Sequence, residues 1–163
     1  MSESNLSGGA LGLIEFLLLC GRLKTTKRTG WVRNGVNLPE SIGDHMHRMG
    51  VMALAMDTLS AGERDRAMRM AIVHDLAEAI AGDITPHDPV SKEEKYRLES
   101  EGLHTMVAHL DGGNSGAAKQ IVELWEEYEE GESEVARFVK DLDKLEMLIQ
   151  VRRRCFFQCA VVH

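Results

Sequence analysis

The residues best suited to chemistry are His74 and Asp75, two metal-ligand types that stand side by side in an otherwise apolar helical segment. Burying a carboxylate costs several kcal/mol unless it is paired or binds a metal, so Asp75 needs a strong partner, and a divalent cation is one. Neighbouring residues on a helix point about 100° apart, so both reach one ion only if other helices complete its shell. The pair therefore predicts a metal site that is shared between helices.

Candidates for the remaining ligands stand on the flanking predicted helices. His45 heads an apolar stripe that continues through Met49 and Met52 at steps of four and three. Asp143 flanks the apolar face of the last predicted helix. Two imidazoles and two carboxylates suit manganese, iron, cobalt, nickel or zinc, and accept magnesium less readily. Sequence spacing does not choose among these metals.

Each of these features alone has an ordinary structural explanation. A histidine on an apolar stripe is more often a hydrogen-bonded core residue than a ligand, and a His-Asp pair arises by chance in many chains. The four-residue spacing of His74 and Glu78 only places both on one inward face of the predicted helix. The case for a site depends on their combination.

The charge of the chain narrows the class of ligand. Its 163 residues carry a formal net charge of -7, which argues against broad nucleic-acid binding, since that relies on excess Lys and Arg. The segment from Arg22 to Arg33 is different, because it holds five basic residues and no acid. It suits a small phosphorylated ligand better than a duplex. A solvated basic loop is the alternative interpretation.

Helical periodicity covers most of the sequence, and no alternating strand pattern occurs. Predicted helices span residues 10–24, 39–60, 63–81, 91–110, 115–130 and 133–150, with Gly- or Pro-containing links between them. We therefore predict an all-α fold, a single bundle of about six helices. We place the domain at residues 10–150, between a disordered segment at 1–9 and an atypical tail at 151–163.

Cysteine content and hydropathy favour a cytoplasmic protein. Cys20, Cys155 and Cys159 form neither an even-numbered disulfide set nor the paired spacing of a zinc site. The apolar run at 11–20 is interrupted by Glu15 and is too short to span a bilayer. It also lacks the basic flank of a signal peptide. We expect free thiols and no membrane partner.

Four ordered blocks of the sequence resemble the HD-domain 5'-deoxynucleotidases, which are metal-dependent phosphohydrolases. The blocks are PESIGDH at 39–45, HDLAE at 74–78, GDI at 82–84 and KDLDK at 140–144. Their order and separations match as well, and the similarity covers roughly residues 11–150. Four blocks in order are far more specific than any one of them.

The resemblance implies that the chain hydrolyses deoxyribonucleoside 5'-monophosphates to nucleoside and phosphate with the help of a divalent ion. It places the metal ligands at His45, His74, Asp75 and Asp143, and the acidic catalytic residue at Glu78. The implied substrate-binding residues are Arg28 and Trp31 for the phosphate, and Asp83, Ile84 and Thr85 for the sugar. Animal and fungal relatives imply a second ion at Glu78, Asp83 and Ile84.

These implied roles have physical reasons. A divalent ion acidifies water and withdraws charge from phosphoryl oxygens. Glu78 lies one helical turn from His74, where it can hold or deprotonate that water. Arg28 can grip the remaining phosphate oxygens in a fork geometry that lysine lacks.

Two other functions stay open. One is a different HD enzyme, acting on a cyclic nucleotide, a nucleoside triphosphate or an alarmone, although the chain is small for those roles. The other is a catalytically silent helical binding protein, whose expected signature is a lost ligand, whereas all four are present. The tail after Gln150 departs from the family pattern, so pocket closure and a homodimer also stay open.

Overall fold

The protein is described here by a computed structural model that covers the backbone of residues 3–160 and the side chains of residues 8–152. Over that range the helices are α1 (Glu3–Arg22), α2 (Thr29–Arg33), α3 (Ile42–Ala55), α4 (Ala61–Val73), α5 (Glu78–Ala81), α6 (Lys92–Val107), α7 (Gly116–Glu130) and α8 (Glu134–Ala160). A short 3-10 helix, Asp111–Gly113, precedes α7. Residues 3–160 contain no β-strand, only an isolated bridge between Lys27 and Ser41. The predicted all-α fold is confirmed.

The hydrophobic core lies among α3, α4, α6, α7 and α8. α3 packs most extensively on α4, and α8 contacts both of them, while α7 lies against α4 and α8. Met49, Met70, Met106 and Val139, from four different helices, are completely buried. Methionine suits such a core because its flexible, polarizable side chain fills irregular gaps. The helices that carry the candidate ligands are thus anchored in one common core.

α3 begins with a capping box. The hydroxyl of Ser41 accepts from the Asp44 backbone N–H at 3.1 Å, and the Asp44 carboxylate accepts from the Ser41 N–H at 2.8 Å. The box satisfies N–H groups that the first helical turn leaves free. The helix therefore begins at Ile42, later than the predicted start near Pro39, and its first turn carries His45 in a fixed position.

The basic segment is more ordered than the predicted loop. The Arg28 N–H donates to the Glu40 carbonyl at 3.1 Å, and the Ile42 N–H donates to the Thr26 carbonyl at 3.0 Å. Residues 29–33 then form the short helix α2. These hydrogen bonds hold Arg28 beside the start of α3, close to His45.

The helix predicted over residues 63–81 is interrupted, and this part of the prediction is wrong. α4 ends at Val73 and α5 begins at Glu78. Between them the backbone N–H of Leu76 bonds to the carbonyl of Val73, and that of Glu78 to Asp75, three residues back in each case. Such 3-10 bonds wind the chain more tightly than an α-helix. His74 and Asp75 therefore project from a tight turn instead of a regular helical face.

The two ends of the chain fall partly outside the described residues. α1 begins at Glu3, inside the segment 1–9 that was expected to be disordered, and residues 1–2 are not described. α8 continues to Ala160, into the predicted tail at 151–163, and nothing is described of the side chains beyond Arg152. The domain boundaries at residues 10 and 150 stay predictions.

The apolar residues of α1 are largely exposed. Leu11, Leu17 and Leu18 are between 56% and 63% exposed, and Phe16 turns inward to join the core. Despite these residues, none of the described helices is both long and apolar enough to cross a membrane.

Candidate active site

Four side chains from three parts of the fold bring their ligand atoms together. His45 comes from the first turns of α3, His74 and Asp75 from the tight turn after α4, and Asp143 from α8. The Nε2 atom of His45 lies 3.3 Å from His74 Nε2, 3.3 Å from Asp143 Oδ1 and 3.6 Å from Asp75 Oδ2. His74 Nε2 lies 3.2 Å from Asp75 Oδ2. The ligand atoms of His45, His74 and Asp143 all lie within 4.8 Å of one another, and Asp75 Oδ2 lies beside the two imidazoles.

The hydrogen bond at the Nδ1 atom of each imidazole determines whether its Nε2 atom faces the cluster with a proton or with a lone pair. His45 Nδ1 lies 2.7 Å from a carboxylate oxygen of Glu146, and His74 Nδ1 lies 3.0 Å from the carbonyl oxygen of Ala71. A carboxylate and a carbonyl only accept, so each Nδ1 carries a proton. In the neutral rings both Nε2 atoms then present lone pairs to each other and to two carboxylates. This arrangement calls for a cation at the centre.

The spacing of the cluster fits a divalent metal ion. With ligand atoms about 2.1 Å from an ion, neighbouring ligands in a tetrahedral or octahedral shell are roughly 3.0 to 3.4 Å apart. The observed separations of 3.2, 3.3 and 3.6 Å are close to that range. His45, His74 and Asp143 therefore fit such an ion in both donor type and distance, and Asp75 matches the spacing at its two contacts with the histidines.

The electrostatics of the cluster also favour positive charge. Burial opposes protonation of His45, but hydrogen bonds to Asp143 and Glu146 outweigh it and raise its pKa to about 9. Burial would raise the pKa of Asp75, yet His74, His45 and Arg28 hold the pKa of that carboxyl well below its usual range. The surroundings thus stabilise a cation at this point, whether a proton or a metal ion.

Arg28 lies beside the ligand cluster and lines an open cavity. Its guanidinium nitrogens are 3.2 Å from Asp75 Oδ2 and 3.6 Å from Asp143 Oδ1.

The cavity has a volume of about 520 Å³, a size usual for small-molecule sites. His45 lies behind its wall, completely buried. The cavity lining includes the nine other predicted site residues: Arg28, Trp31, His74, Asp75, Glu78, Asp83, Ile84, Thr85 and Asp143. Their individual roles stay predictions.

The two segments expected to contact phosphate and sugar are joined by hydrogen bonds. The Thr29 backbone N–H donates to the Asp83 carboxylate at 2.5 Å, and the Thr29 hydroxyl donates to the Asp83 carbonyl at 2.9 Å. Arg33 donates to the Thr85 hydroxyl at 2.7 Å and pairs with Asp88. We call these contacts the α2 clasp. The clasp joins α2 to residues 83–88, so these two parts of the cavity lining are held together.

Glu78 presents a buried carboxylate to the cavity. The residue is 6% exposed, and its Oε2 atom has no hydrogen-bond partner within the described part of the chain. Burial, and then the negative charges of Asp75 and Asp83, raise the pKa of Glu78 well above its usual value. A buried carboxylate without a partner is costly unless it carries a proton or meets a ligand. Such a group is a candidate for proton transfer.

Sequence reasoning missed the polar residues behind His45. Glu146 and Gln150 are almost completely buried on α8. Glu146 accepts hydrogen bonds from His45, Arg48 and the side-chain amide of Gln150, whose carbonyl oxygen accepts from the Trp31 indole. A signal existed, because Glu146 and Gln150 follow Asp143 at steps of three and four and so continue its polar line along the helix.

Tyr128 was also missed, and it brings α7 to the cluster. Its hydroxyl lies 3.4 Å from Asp143 Oδ2, and its ring centroid lies 5.0 Å from that of His74. Lys140 Nζ is 4.8 Å from the centroid of the same ring. The Tyr128 side chain therefore supports one carboxylate and one imidazole of the cluster.

A second buried carboxyl, Glu99, also lines the cavity. It is 4% exposed, and its Oε1 atom lies 3.3 Å from Lys95 Nζ. Burial is the main reason that the pKa of Glu99 rises to about 7, since it outweighs the attraction of Lys95, and Glu129 adds to the rise.

Known proteins resemble the chain over most of its length. The HD domain profile matches residues 20–155, a range that includes every residue of the cluster. The Mus musculus protein named 5'-deoxynucleotidase HDDC2 is 49% identical over 146 residues, which are 88% of this chain and 70% of that protein. The Schizosaccharomyces pombe protein named 5'-deoxynucleotidase hdd1 is 48% identical over 143 residues, 87% of this chain and 72% of that protein.

A solved structure agrees with these matches. A Magnetospirillum magnetotacticum protein described as a predicted metal-dependent phosphohydrolase superposes with a TM-score of 0.68 at 26% sequence identity. The superposition covers 87% of this chain and 70% of that one.

We predict that Glu99→Gln changes how stability depends on pH. The pKa of about 7 in the folded protein exceeds the usual 4.5, so the folded state binds more protons than the unfolded state between these values. Stability should therefore fall as pH rises through that window. Glutamine cannot ionise, so the variant should gain on the order of 1–3 kcal/mol over the wild type at about pH 8 and less at about pH 5.

Urea unfolding at the two pH values measures this effect. Glu101→Gln, an exposed position on the same helix, is the matched control and should leave the pH dependence of the wild type in place. A Glu99→Gln protein whose stability follows the wild-type pH profile would contradict the prediction.

Proposed function

The chain belongs to the HD-domain family, and from that membership we propose that it is a metal-dependent 5'-deoxynucleotidase, which hydrolyses deoxyribonucleoside 5'-monophosphates to deoxynucleoside and phosphate. The observation that carries the proposal is the cluster itself: two imidazole lone pairs and two carboxylates beside a guanidinium, at one side of a cavity of small-molecule size. Relatives that are 42–49% identical bear the name 5'-deoxynucleotidase and support this activity.

His45, His74, Asp75 and Asp143 would hold the ion. When bound, a divalent cation supplies Lewis acidity, which acidifies water and draws electron density from the phosphoryl oxygens. The mixed nitrogen and oxygen donors suit manganese, iron, cobalt, nickel or zinc, and accept magnesium less readily. A second ion at Glu78, Asp83 and Ile84 is an additional proposal, which the buried and unpartnered Oε2 atom of Glu78 supports.

Arg28 would bind the substrate phosphate. Its present partners are the carboxylates of Asp75 and Asp143, two proposed metal ligands. Once those carboxylates are committed to an ion, the guanidinium can turn its paired N–H donors toward the phosphate oxygens. Trp31 lines the same cavity and would help to orient the phosphate.

Glu78 would transfer a proton at its Oε2 atom. Burial raises the pKa of Glu78 and so favours its protonated form, from which the proton can pass to the leaving 5'-oxygen or exchange with the attacking water. The sugar would lie against Asp83, Ile84 and Thr85, the wall that the α2 clasp fixes relative to Arg28.

The partners follow from this activity. The substrate is a small nucleotide, and neither a nucleic acid nor a membrane is expected as a partner. A cytoplasmic location and a homodimer are further parts of the proposal, and both stay predictions.

Metal removal and a substrate panel test the proposed function. The chelated protein should be inactive, and re-addition of single divalent metals should restore phosphate release from deoxyribonucleoside 5'-monophosphates in preference to ribonucleotides. His74→Ala and Asp75→Asn should lose both metal and activity, because each removes a ligand. Activity confined to cyclic nucleotides or triphosphates would favour another HD phosphohydrolase, and no activity with any metal would favour a binding protein.

For Glu78→Gln we expect folding to persist and turnover to fall by about two to four orders of magnitude, the usual contribution of a general acid or base. Metal content measured alongside turnover separates the two proposed roles, because loss of a second ion would lower the stoichiometry as well. Glu126→Gln, exposed on α7, is the control. An unchanged turnover number would exclude both roles.

For Arg28→Lys we expect a larger loss of activity than conserved charge would suggest, because lysine lacks the two-pronged geometry of the guanidinium. The loss should appear in the turnover number and not only in the Michaelis constant if the contact tightens in the transition state. Arg22→Lys, exposed in the same basic segment, is the matched control. Steady-state kinetics on a deoxyribonucleoside monophosphate test this prediction, and wild-type values for Arg28→Lys would contradict a phosphate-binding role for Arg28.

A further inference from the structure

A chain of hydrogen bonds, part-buried at Trp31 and buried beyond it, connects the cavity wall to the proposed metal ligand His45. The Trp31 indole N–H donates to the side-chain carbonyl of Gln150, and the Gln150 amide donates to Glu146 at 2.5 Å. Glu146 in turn accepts from His45 Nδ1 at 2.7 Å. Gln150 is 2% exposed and Glu146 is completely buried.

Each group in this path can match the donors and acceptors of its neighbours in only one orientation. The indole can only donate, so the carbonyl end of Gln150 must face Trp31, and its amide end must then face Glu146. Glu146 is therefore surrounded by donors, because Arg48 also donates to it while pairing with Glu40. A rotation of Gln150 would break a bond at both ends, so the positions of Trp31 and Glu146 are linked.

The path joins segments that are far apart in the sequence, and it is not needed to fill the core. Trp31 precedes α3 in a segment that hydrogen bonds hold in place, and Gln150 lies 119 residues later on α8. An apolar side chain of similar size at 150 would occupy the same space without the cost of burying an amide. The amide fixes the orientation of the Glu146 carboxylate, and this carboxylate in turn fixes the orientation of the His45 ring.

We propose that Gln150 and Glu146 are positioning residues that couple the Trp31 side of the cavity to the aim of His45 at the metal ion. The proposal rests on the proposed metal site. Its consequence is reciprocal: anything that displaces Trp31 weakens metal binding, and metal binding in turn holds Trp31 in place.

Zinc binding to the chelator-treated full chain tests the coupling. The readout is affinity, measured by competition with a chromophoric chelator. Glu146→Gln should weaken binding about 10- to 100-fold, as expected for a residue that orients a ligand. Gln150→Met and Trp31→Phe should each weaken it about 2- to 10-fold, the effect of one hydrogen bond. The double variant that combines Gln150→Met with Trp31→Phe should bind zinc no more weakly than the weaker-binding of these two single variants, because both changes break the same path.

The second tryptophan provides a control and a second readout. Trp125→Phe removes the buried indole of α7 and leaves the path intact, so its zinc affinity should be that of the wild type. Trp31 is then the only tryptophan of the chain. Zinc should change its fluorescence in this protein, and the change should disappear when Gln150→Met is added.

The outcomes separate this inference from the proposed function. Folded Trp31→Phe and Gln150→Met proteins with wild-type zinc affinity, or losses that simply add in the double variant, would overturn the coupling and leave the metal site standing. A wild-type protein that binds no zinc or other divalent metal would overturn both. If Glu146→Gln fails to fold, the Trp31→Phe variant still decides the result, because Trp31 is only half-buried.

Discussion

The meeting of two imidazole lone pairs with two carboxylates is the constraint on which the rest of the structure depends. His45 and His74 are each held with the proton on the outer nitrogen, so their inner nitrogens face one another at 3.3 Å. Such a cluster is unfavourable without positive charge at its centre. The capping box of α3, the tight turn after α4 and the buried face of α8 each bring one part of it into place.

The fold class could be predicted from the sequence because it depends on periodicity. The ordered motifs led to candidate site residues that line one cavity or, at His45, lie behind its wall, and their roles stay predictions. The break between α4 and α5 could not be predicted, since residues 70–77 include several good helix formers and none of the usual breakers. Glu146 and Gln150 were missed for a different reason. A polar residue on a helix face is ordinarily solvated, and only tertiary packing shows that these two are buried behind His45.

The site combines carboxyls whose pKa is lowered with carboxyls whose pKa is raised. Glu78 and Glu99 are buried carboxyls with raised pKa values on the cavity lining, while Asp75 and Asp143 keep lowered pKa values at the cluster. Environments that separate the pKa values of nearby carboxyls divide their roles into proton carriers and permanent anions. Burial produces the first class here, and the histidines stabilise the second.

The α2 clasp has an evolutionary consequence. Thr29 and Asp83 are 54 residues apart in sequence, yet two hydrogen bonds join them and fix the distance between the Arg28 side and the 83–88 side of the cavity. A substitution in either segment shifts the other, so the two cannot adapt separately. For the sugar contact proposed at residues 83–85, selection for a different sugar would therefore act on paired substitutions, and single changes would show strong epistasis.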